Sequence, residues 1–226
     1  MFRFVVRHPF LATFVPLGVF VLLVQIHTYR LLAERRNSAA TATLDDFGPV
    51  GEFALTERSG DVVRDADLRG KVWVASFVFT RCTGPCPQVS ATVARLQSQL
   101  TDRDVRFVTF TVDPERDGPK ELAQYAEHFR ADPQRWLFLT GKQDDIYRLL
   151  REGFHVPVEQ NEGEARKPGN EVMHSTKLVV VDRRGHLRGS YFDALPDSRA
   201  LDPEGDFEDN LQRLRQTVAA LLREAP

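Results

Sequence analysis

The chain has 226 residues, which is enough for one domain of ordinary size plus a tail. Its apolar fraction of 42% and charged fraction of 27% are close to those of globular proteins. The net charge is −2 at pH 7, and no basic stripe with interleaved aromatic residues is present, so we expect no nucleic-acid binding.

The first thirty residues differ from the rest of the chain. The run Phe10–Ile26 carries no charge, and arginines flank it on both sides. A helix needs about 20 residues to span the bilayer core, within a range of about 17 to 25, so this run is long enough once interfacial residues are added. We therefore predict that residues 1–32 form an N-terminal membrane anchor with one transmembrane helix.

A cleaved signal peptide is the alternative for this segment, although its apolar region usually has about 7–15 residues. Ser38-Ala39-Ala40 offers a poor cleavage site, far beyond the apolar run. The positively charged residues are nearly balanced across the run, so they set the orientation only weakly. We expect a single-pass inner-membrane protein with a short cytoplasmic N-terminus and a domain that faces the periplasm.

Ala33–Thr43 is polar and rich in small residues, which predicts a tether over residues 33–47, and Gly48-Pro49 opens a domain over residues 48–226. In that domain, apolar β-rich runs alternate with helical patterns. The predicted elements are, in chain order, a hairpin of Glu52–Thr56 and Asp61–Val63, strand Val72–Phe79, helix Val89–Leu100, strand Val105–Val112, helix Pro119–Phe129, strand Trp136–Leu139, helix Gln143–Glu152, a polar loop over Pro157–Glu171, a hairpin of Thr176–Val181 and His186–Tyr191, and helix Leu211–Leu222. This order predicts an α/β fold of the thioredoxin-like type, a central mixed sheet with flanking helices.

Two cysteines, Cys82 and Cys86, are the only thiols of the chain, and they lie between the strand that ends at Phe79 and the following helix. A helix N-terminus favours thiolate over thiol. Thiolates attack disulfides and also bind soft metals. Side chains four residues apart can meet on one side of a first helical turn. The spacing is therefore compatible with a disulfide and with a metal site. A metal site would need a third ligand.

His174 is the histidine best placed to be that ligand. It ends the polar loop and precedes a buried-type strand. In a thioredoxin-like fold, this junction between loop and strand faces the cysteine pair. Imidazole suits copper and zinc alike. Placement alone leaves a structural histidine equally open.

The motifs Gly70–Pro87 (GKVWVASFVFTRCTGPCP), Val108–Tyr125 (VTFTVDPERDGPKELAQY), Leu139-Thr140-Gly141 and His174–Gly185 resemble the Sco/SenC family of membrane-anchored copper proteins that serve cytochrome c oxidase assembly. They cover nearly all of residues 50–190 in the same order. The resemblance implies a thioredoxin-like fold and a copper site, for Cu(I) or Cu(II), made of Cys82, Cys86 and His174.

One departure from the family pattern lies beside the histidine. Many relatives carry an aspartate before the ligand histidine, whereas this chain has Met173. A thioether is a soft copper ligand, but we expect Met173 to pack against the sheet. Asp113 and Asp117 are also candidate metal ligands. We expect instead an Asp-Pro turn that caps the next helix, with Asp113 as an outer group near the metal.

Two functions from different classes follow. The first is a copper metallochaperone that delivers copper to the copper-site subunit of cytochrome c oxidase, with the polar loop moving His174 in and out. Its expected partners also include other copper chaperones or thiol reductants. The second is a thiol–disulfide oxidoreductase that keeps the oxidase cysteines reduced, with Cys82 as nucleophile and Cys86 as resolving thiol. In that reaction the redox pair is catalytic and His174 is dispensable.

Overall fold

The structure is a computed structural model, and it describes residues 25, 27–28, 44–163, 167–195 and 207–224. The chain divides into two compact units, residues 1–43 and 44–226. In the first unit the described residues Gln25, His27 and Thr28 are helical. The predicted membrane span Phe10–Ile26 lies outside the described residues apart from Gln25. Within the described part of the chain, no helix combines the length and the apolar character that a bilayer crossing needs.

The second unit is built on a mixed sheet of eight strands. The strands of the unit are β1 (Asp46–Pro49), β2 (Ala54–Glu57), β3 (Val62–Arg64), β4 (Val72–Val78), β5 (Val105–Thr111), β6 (Trp136–Thr140), β7 (Val158–Gln160), β8 (Val172–His174), β9 (Lys177–Val181) and β10 (His186–Asp193). The order across the main sheet is β1-β10-β9-β4-β5-β6-β2-β3, and a separate two-stranded sheet contains β7 and β8.

The centre of the sheet is parallel and its margins are antiparallel. Strand β4 pairs in parallel with β5, and β5 with β6, while β9 joins β4 and β2 joins β6 in the antiparallel sense. Every residue of β4 is buried, as expected for a continuous apolar strand covered on both faces. The predicted mixed sheet with a parallel core and an antiparallel hairpin is therefore confirmed.

Four α-helices are present among the described residues: α1 (Cys86–Gln99), α2 (Pro119–His128), α3 (Gln143–Arg148) and α4 (Phe207–Arg223). Helix α1 packs on β4 and α2 on β6, whereas α4 packs on β10, β4 and β9. Proline occupies the first turn of both α1 and α2, where no backbone N–H is needed within the helix. The chain passes from the carboxyl end of β4 into the start of α1, which places the cysteines at the carboxyl edge of the sheet.

Three local features differ from the sequence prediction. The predicted loop Pro157–Glu171 contains β7, which pairs with β8, and the pair buries Val158 and Val172 on one face. The predicted helix Gln143–Glu152 ends at Arg148 and continues as a π-helical turn over Leu149–Gly153. Strand β1 begins at Asp46, within the predicted tether, because it pairs with β10.

Candidate metal centre

The two cysteines lie on either side of the junction between β4 and α1. A turn over Phe79–Cys82 follows β4, and the Cys82 N–H donates to the Phe79 carbonyl at 3.2 Å. Cys82 is half-buried, and Cys86 is the fully buried first residue of α1. Both are free thiols in this structure. One sulfur is therefore accessible from outside while the other is held in the core.

His174 reaches the same place from the second sheet, at the end of β8, where it is paired with Val158. Its ring and the Phe79 ring form an edge-to-face pair, with ring centroids 5.7 Å apart and ring planes 85° apart. Nδ1 lies 2.9 Å from the Ser175 carbonyl oxygen. A carbonyl only accepts hydrogen bonds, so Nδ1 carries the proton and donates. The other ring nitrogen, Nε2, faces the Cys86 Sγ at 3.3 Å.

The ligand atoms of Cys82, Cys86 and His174 all lie within 4.8 Å of one another. Donors that bind one metal ion at about 2.3 Å are about 4 Å apart, so the three atoms need only small shifts to share an ion. In the part of the chain that the structure describes, no other such cluster of histidine, cysteine and carboxylate residues is present. Two sulfurs and an imidazole form a donor set for a soft or borderline metal such as copper.

The two thiols differ strongly in acidity. A hydrogen bond from the Cys86 thiol lowers the pKa of Cys82 to about 4, and His174 and the N–H groups of Cys86 and Gly84 act in the same direction against the effect of burial. The pKa of Cys86 is raised, because its thiol donates to Cys82 and because burial disfavours its thiolate. Cys82 is therefore the more acidic thiol of the metal-free reduced pair, and Cys86 is the less acidic one.

The loop that leads into β8 rests on the cysteine loop. The Thr83 N–H donates to the Gly169 carbonyl at 3.3 Å, and the Gly169 N–H donates to the buried Glu171 carboxylate at 2.8 Å. Gly169 has a φ of +83°, and a Cβ there would lie 2.4 Å from the Thr83 hydroxyl oxygen. Only glycine fits this close approach, which places the strand with His174 against the cysteines.

Met173 does not take either of the positions considered from the sequence. It is 48% exposed, so the prediction that it packs against the sheet is wrong. Successive residues of a strand point to opposite faces, so Met173 also points away from the face that His174 occupies. Adjacency in sequence was misleading here because β8 is an extended strand.

Asp113 and Asp117 do not cap the next helix, and that prediction is wrong as well. The residue before α2 is Gly118, and no side chain caps this helix. The Asp113 carboxylate pairs with the Arg116 guanidinium at 3.1 Å, and it is not part of the metal cluster. Asp117 instead bonds to Thr80 and Thr111. These bonds could not be inferred from local sequence patterns, because Thr80 lies 37 positions before Asp117.

Comparison with known proteins places the chain in a family. The model of the SCO1/SenC family matches residues 42–203. An SCO1 protein homolog of Bacillus subtilis is 34% identical over 145 residues, which are 63% of this chain and 72% of that protein. A protein of Stutzerimonas stutzeri that is named for copper binding is 30% identical over 145 residues, 62% of this chain and 67% of its own length.

A solved structure shares the fold. BsSco, described as a member of the Sco family of cytochrome c oxidase assembly proteins with a disulfide switch, is 28% identical. It superposes with a TM-score of 0.63 over 81% of this chain and 100% of its own. The predicted thioredoxin-like fold of the domain is thereby confirmed.

Proposed function

The chain belongs to the SCO1/SenC family, and from this premise we propose that it carries copper as cargo. Cys82, Cys86 and His174 bind one copper ion, and the protein delivers it to the copper-site subunit of cytochrome c oxidase during assembly. The observation that carries the proposal is the convergence of these three ligand atoms within 4.8 Å.

The chemistry of the donors supports copper over hard cations. Thiolates favour Cu(I), and imidazole suits both Cu(I) and Cu(II). Nδ1 of His174 donates a hydrogen bond to the Ser175 carbonyl. This bond leaves Nε2 as the ligand atom and fixes the orientation of the ring. The name of the Stutzerimonas stutzeri relative and the description of BsSco support copper as the cargo and the oxidase as the recipient.

A thiol–disulfide oxidoreductase that keeps the oxidase cysteines reduced is the second candidate, and the acidity of Cys82 favours it. An accessible thiolate beside a buried thiol is the arrangement in which one sulfur attacks a disulfide and the other resolves the mixed disulfide. In that reaction Cys82 attacks, and the disulfide passes to Cys82 and Cys86 while the partner leaves as a dithiol. The same pair supports both functions, but only copper binding needs His174.

We also propose a location and domain organisation. Residues 1–32 anchor the protein by a single span, residues 33–47 tether it, and the domain faces the periplasm. The uncharged run Phe10–Ile26 supports this proposal. A copper site on a tethered domain could reach a membrane-embedded oxidase without leaving the membrane surface.

A complementation experiment separates the two functions. Cells that lack the protein receive the wild type, His174→Ala, Cys82→Ser or the control His155→Ala, which alters an exposed histidine outside the cluster. Copper delivery predicts that His174→Ala and Cys82→Ser both lower oxidase activity at limiting copper, and that added copper partly restores activity. Full oxidase activity with His174→Ala, together with loss in Cys82→Ser, would assign the protein to thiol reduction instead.

A further inference from the structure

Asp117 is a buried acidic residue that no metal or helix cap explains. It lies in the loop between β5 and α2, and its side chain is fully buried. One carboxylate oxygen, Oδ2, accepts the Thr80 N–H at 2.9 Å and the Thr111 hydroxyl at 2.6 Å. The other, Oδ1, accepts the Thr80 hydroxyl at 2.5 Å. Two of its three hydrogen bonds therefore go to one residue, which stands two positions before Cys82.

Burying the Asp117 carboxylate is unfavourable for the free energy of folding, so stability alone does not explain this arrangement. Burial raises the pKa of Asp117, since its charged form is desolvated. Among the described residues, no lysine, arginine or histidine forms an ion pair with it. A buried charge without a cation lowers stability unless hydrogen bonds offset the loss of water. The hydrogen bonds that offset it here hold a particular piece of backbone.

Thr80 lies just beyond the end of the regular strand pairing in the central sheet. The register of β4 with β5 ends at Val78 and Thr111, followed by one further bond from the Val112 N–H to the Val78 carbonyl. Beyond it, the chain turns over Phe79–Cys82. The Asp117 carboxylate continues the link between the two strand ends through a side chain.

We infer that Asp117 is a positioning residue for Cys82. Its carboxylate clamps Thr80, fixes the turn over Phe79–Cys82 and so holds the Cys82 sulfur within reach of Cys86 and His174. The clamp itself is a feature of the copper-free fold, and only its effect on copper affinity rests on the proposed function.

Two substitutions test the clamp. Asparagine at position 117 keeps an acceptor for the Thr80 N–H, and its amide can donate to the Thr80 hydroxyl oxygen, so Asp117→Asn should resemble the wild type. Asp117→Ala removes all three bonds. Glu57→Ala is the matched control, because Glu57 is also a buried carboxylate that accepts two backbone N–H groups, those of Ser59 and Phe138, but lies on β2.

Amide hydrogen exchange of the full-length, reduced, copper-free protein is the direct readout. In Asp117→Ala we expect exchange at Thr80 and Cys82 to accelerate about 10- to 100-fold, as for loss of a hydrogen bond to a charged group, while amides in the middle of β4 keep their protection. Asp117→Asn should stay within about threefold of the wild type, and Glu57→Ala should leave both amides unchanged. Should Asp117→Ala fail to fold, Thr80→Val removes only the hydroxyl bond and should give the same local pattern at smaller amplitude.

The copper affinity of the same variants is the second readout. We expect Asp117→Ala to bind Cu(II) about tenfold or more weakly, with Asp117→Asn and Glu57→Ala close to the wild type. Unchanged exchange at Thr80 and Cys82 in Asp117→Ala, or acceleration spread evenly over β4, would overturn the inference. A wild type that binds no copper would refute the proposed function instead, and the exchange result would still decide the role of Asp117.

Discussion

The Cys86 sulfur lies 3.3 Å from Nε2 of His174, although 88 positions separate the two residues in the chain. Cys86 begins a helix on the main sheet, and His174 ends a strand of the small second sheet. The site therefore joins two substructures, and its geometry depends on how the β7–β8 hairpin rests against the cysteine loop. The contact between Gly169 and Thr83 holds the hairpin against the cysteine loop, and a substitution at position 169 can test it directly.

Alanine at position 169 should disturb the site from a distance. The new Cβ would meet the Thr83 side chain at 2.4 to 3.0 Å, so the hairpin with His174 must move away from the cysteines. We expect Gly169→Ala to lower the free energy of unfolding by about 1–3 kcal/mol from overpacking, on top of the backbone strain. Copper affinity should fall about tenfold, because the ligand atoms separate.

Gly163→Ala is the control for that change. Gly163 also has a positive φ, of +55°, but a Cβ there would meet nothing within 4 Å. It shares the backbone strain, about 1–2 kcal/mol, without the clash. Thr83→Ala, which removes the two closest atoms, should restore copper binding to Gly169→Ala. Equal effects of the two glycine variants in denaturation and copper titration would contradict this account.

Cys82 should react with iodoacetamide at a pH where ordinary thiols do not. Its pKa of about 4 means that the labelling rate is nearly constant between pH 6 and 8 and falls as the pH approaches 4. The shift also stabilises the reduced fold: this contribution is complete above the ordinary thiol pKa of about 9 and is lost as the pH falls through about 4.

Mass spectrometry of the labelled protein checks this prediction. The modification should be on Cys82, and the Cys82→Ser variant should remain unlabelled at the buried Cys86. In denaturant the rate should rise about tenfold per pH unit over the same range, as for a free thiol. Preferential labelling of Cys86 would reverse the proposed roles of the two sulfurs.

Oxidation should abolish copper binding. A disulfide between Cys82 and Cys86 leaves no thiolate to bind the ion, and His174 alone is a weak site. Copper per chain, measured after dialysis, should fall from one equivalent in the reduced protein to a small fraction in the oxidised protein and recover after reduction. Stoichiometric copper in the fully oxidised protein would contradict the ligand set.

The main sheet and the position of the two cysteines could be predicted from the sequence because local patterns encode them. The continuous apolar run predicted β4 to within one residue of its observed end, and the cysteines follow directly from its end. Placement before a buried-type strand made His174 a candidate, but it left a structural histidine equally open. The resemblance of the motifs to the Sco/SenC family identified His174 as the third ligand. Its meeting with the cysteines is a consequence of topology rather than of side-chain detail.

The failures concern features that depend on contacts between distant residues. Strand β7 is too short and polar to be read from its sequence, and it forms because β8 pairs with it. Asp117 looked like a helix cap because Asp-Pro turns commonly precede helices, but its partners Thr80 and Thr111 come from two other segments. Met173 was expected to pack against the sheet because methionine commonly fills gaps in a core, whereas it lies on the exposed face of β8.

The N-terminal segment should keep the full-length protein in the membrane. The run Phe10–Ile26 is uncharged and long enough to span, so carbonate-washed membranes should retain the chain, and a protease added to the periplasmic side should digest residues beyond about 33. A variant that begins at residue 44 serves as control and should be released. Recovery of a soluble periplasmic form that begins near Ala40 would show cleavage instead of anchoring.

The most direct test of the copper centre is the Cu(II) dissociation constant of the reduced protein, wild type beside His174→Ala, with His155→Ala as control. Loss of an outer partner of a metal ligand typically costs about 10- to 100-fold in affinity, so loss of the ligand itself should cost more. We predict one equivalent of Cu(II) in the wild type, weakening by over about 100-fold in His174→Ala, and a much smaller effect on Cu(I), which keeps both thiolates. Unchanged Cu(II) affinity in His174→Ala would contradict a centre built from Cys82, Cys86 and His174.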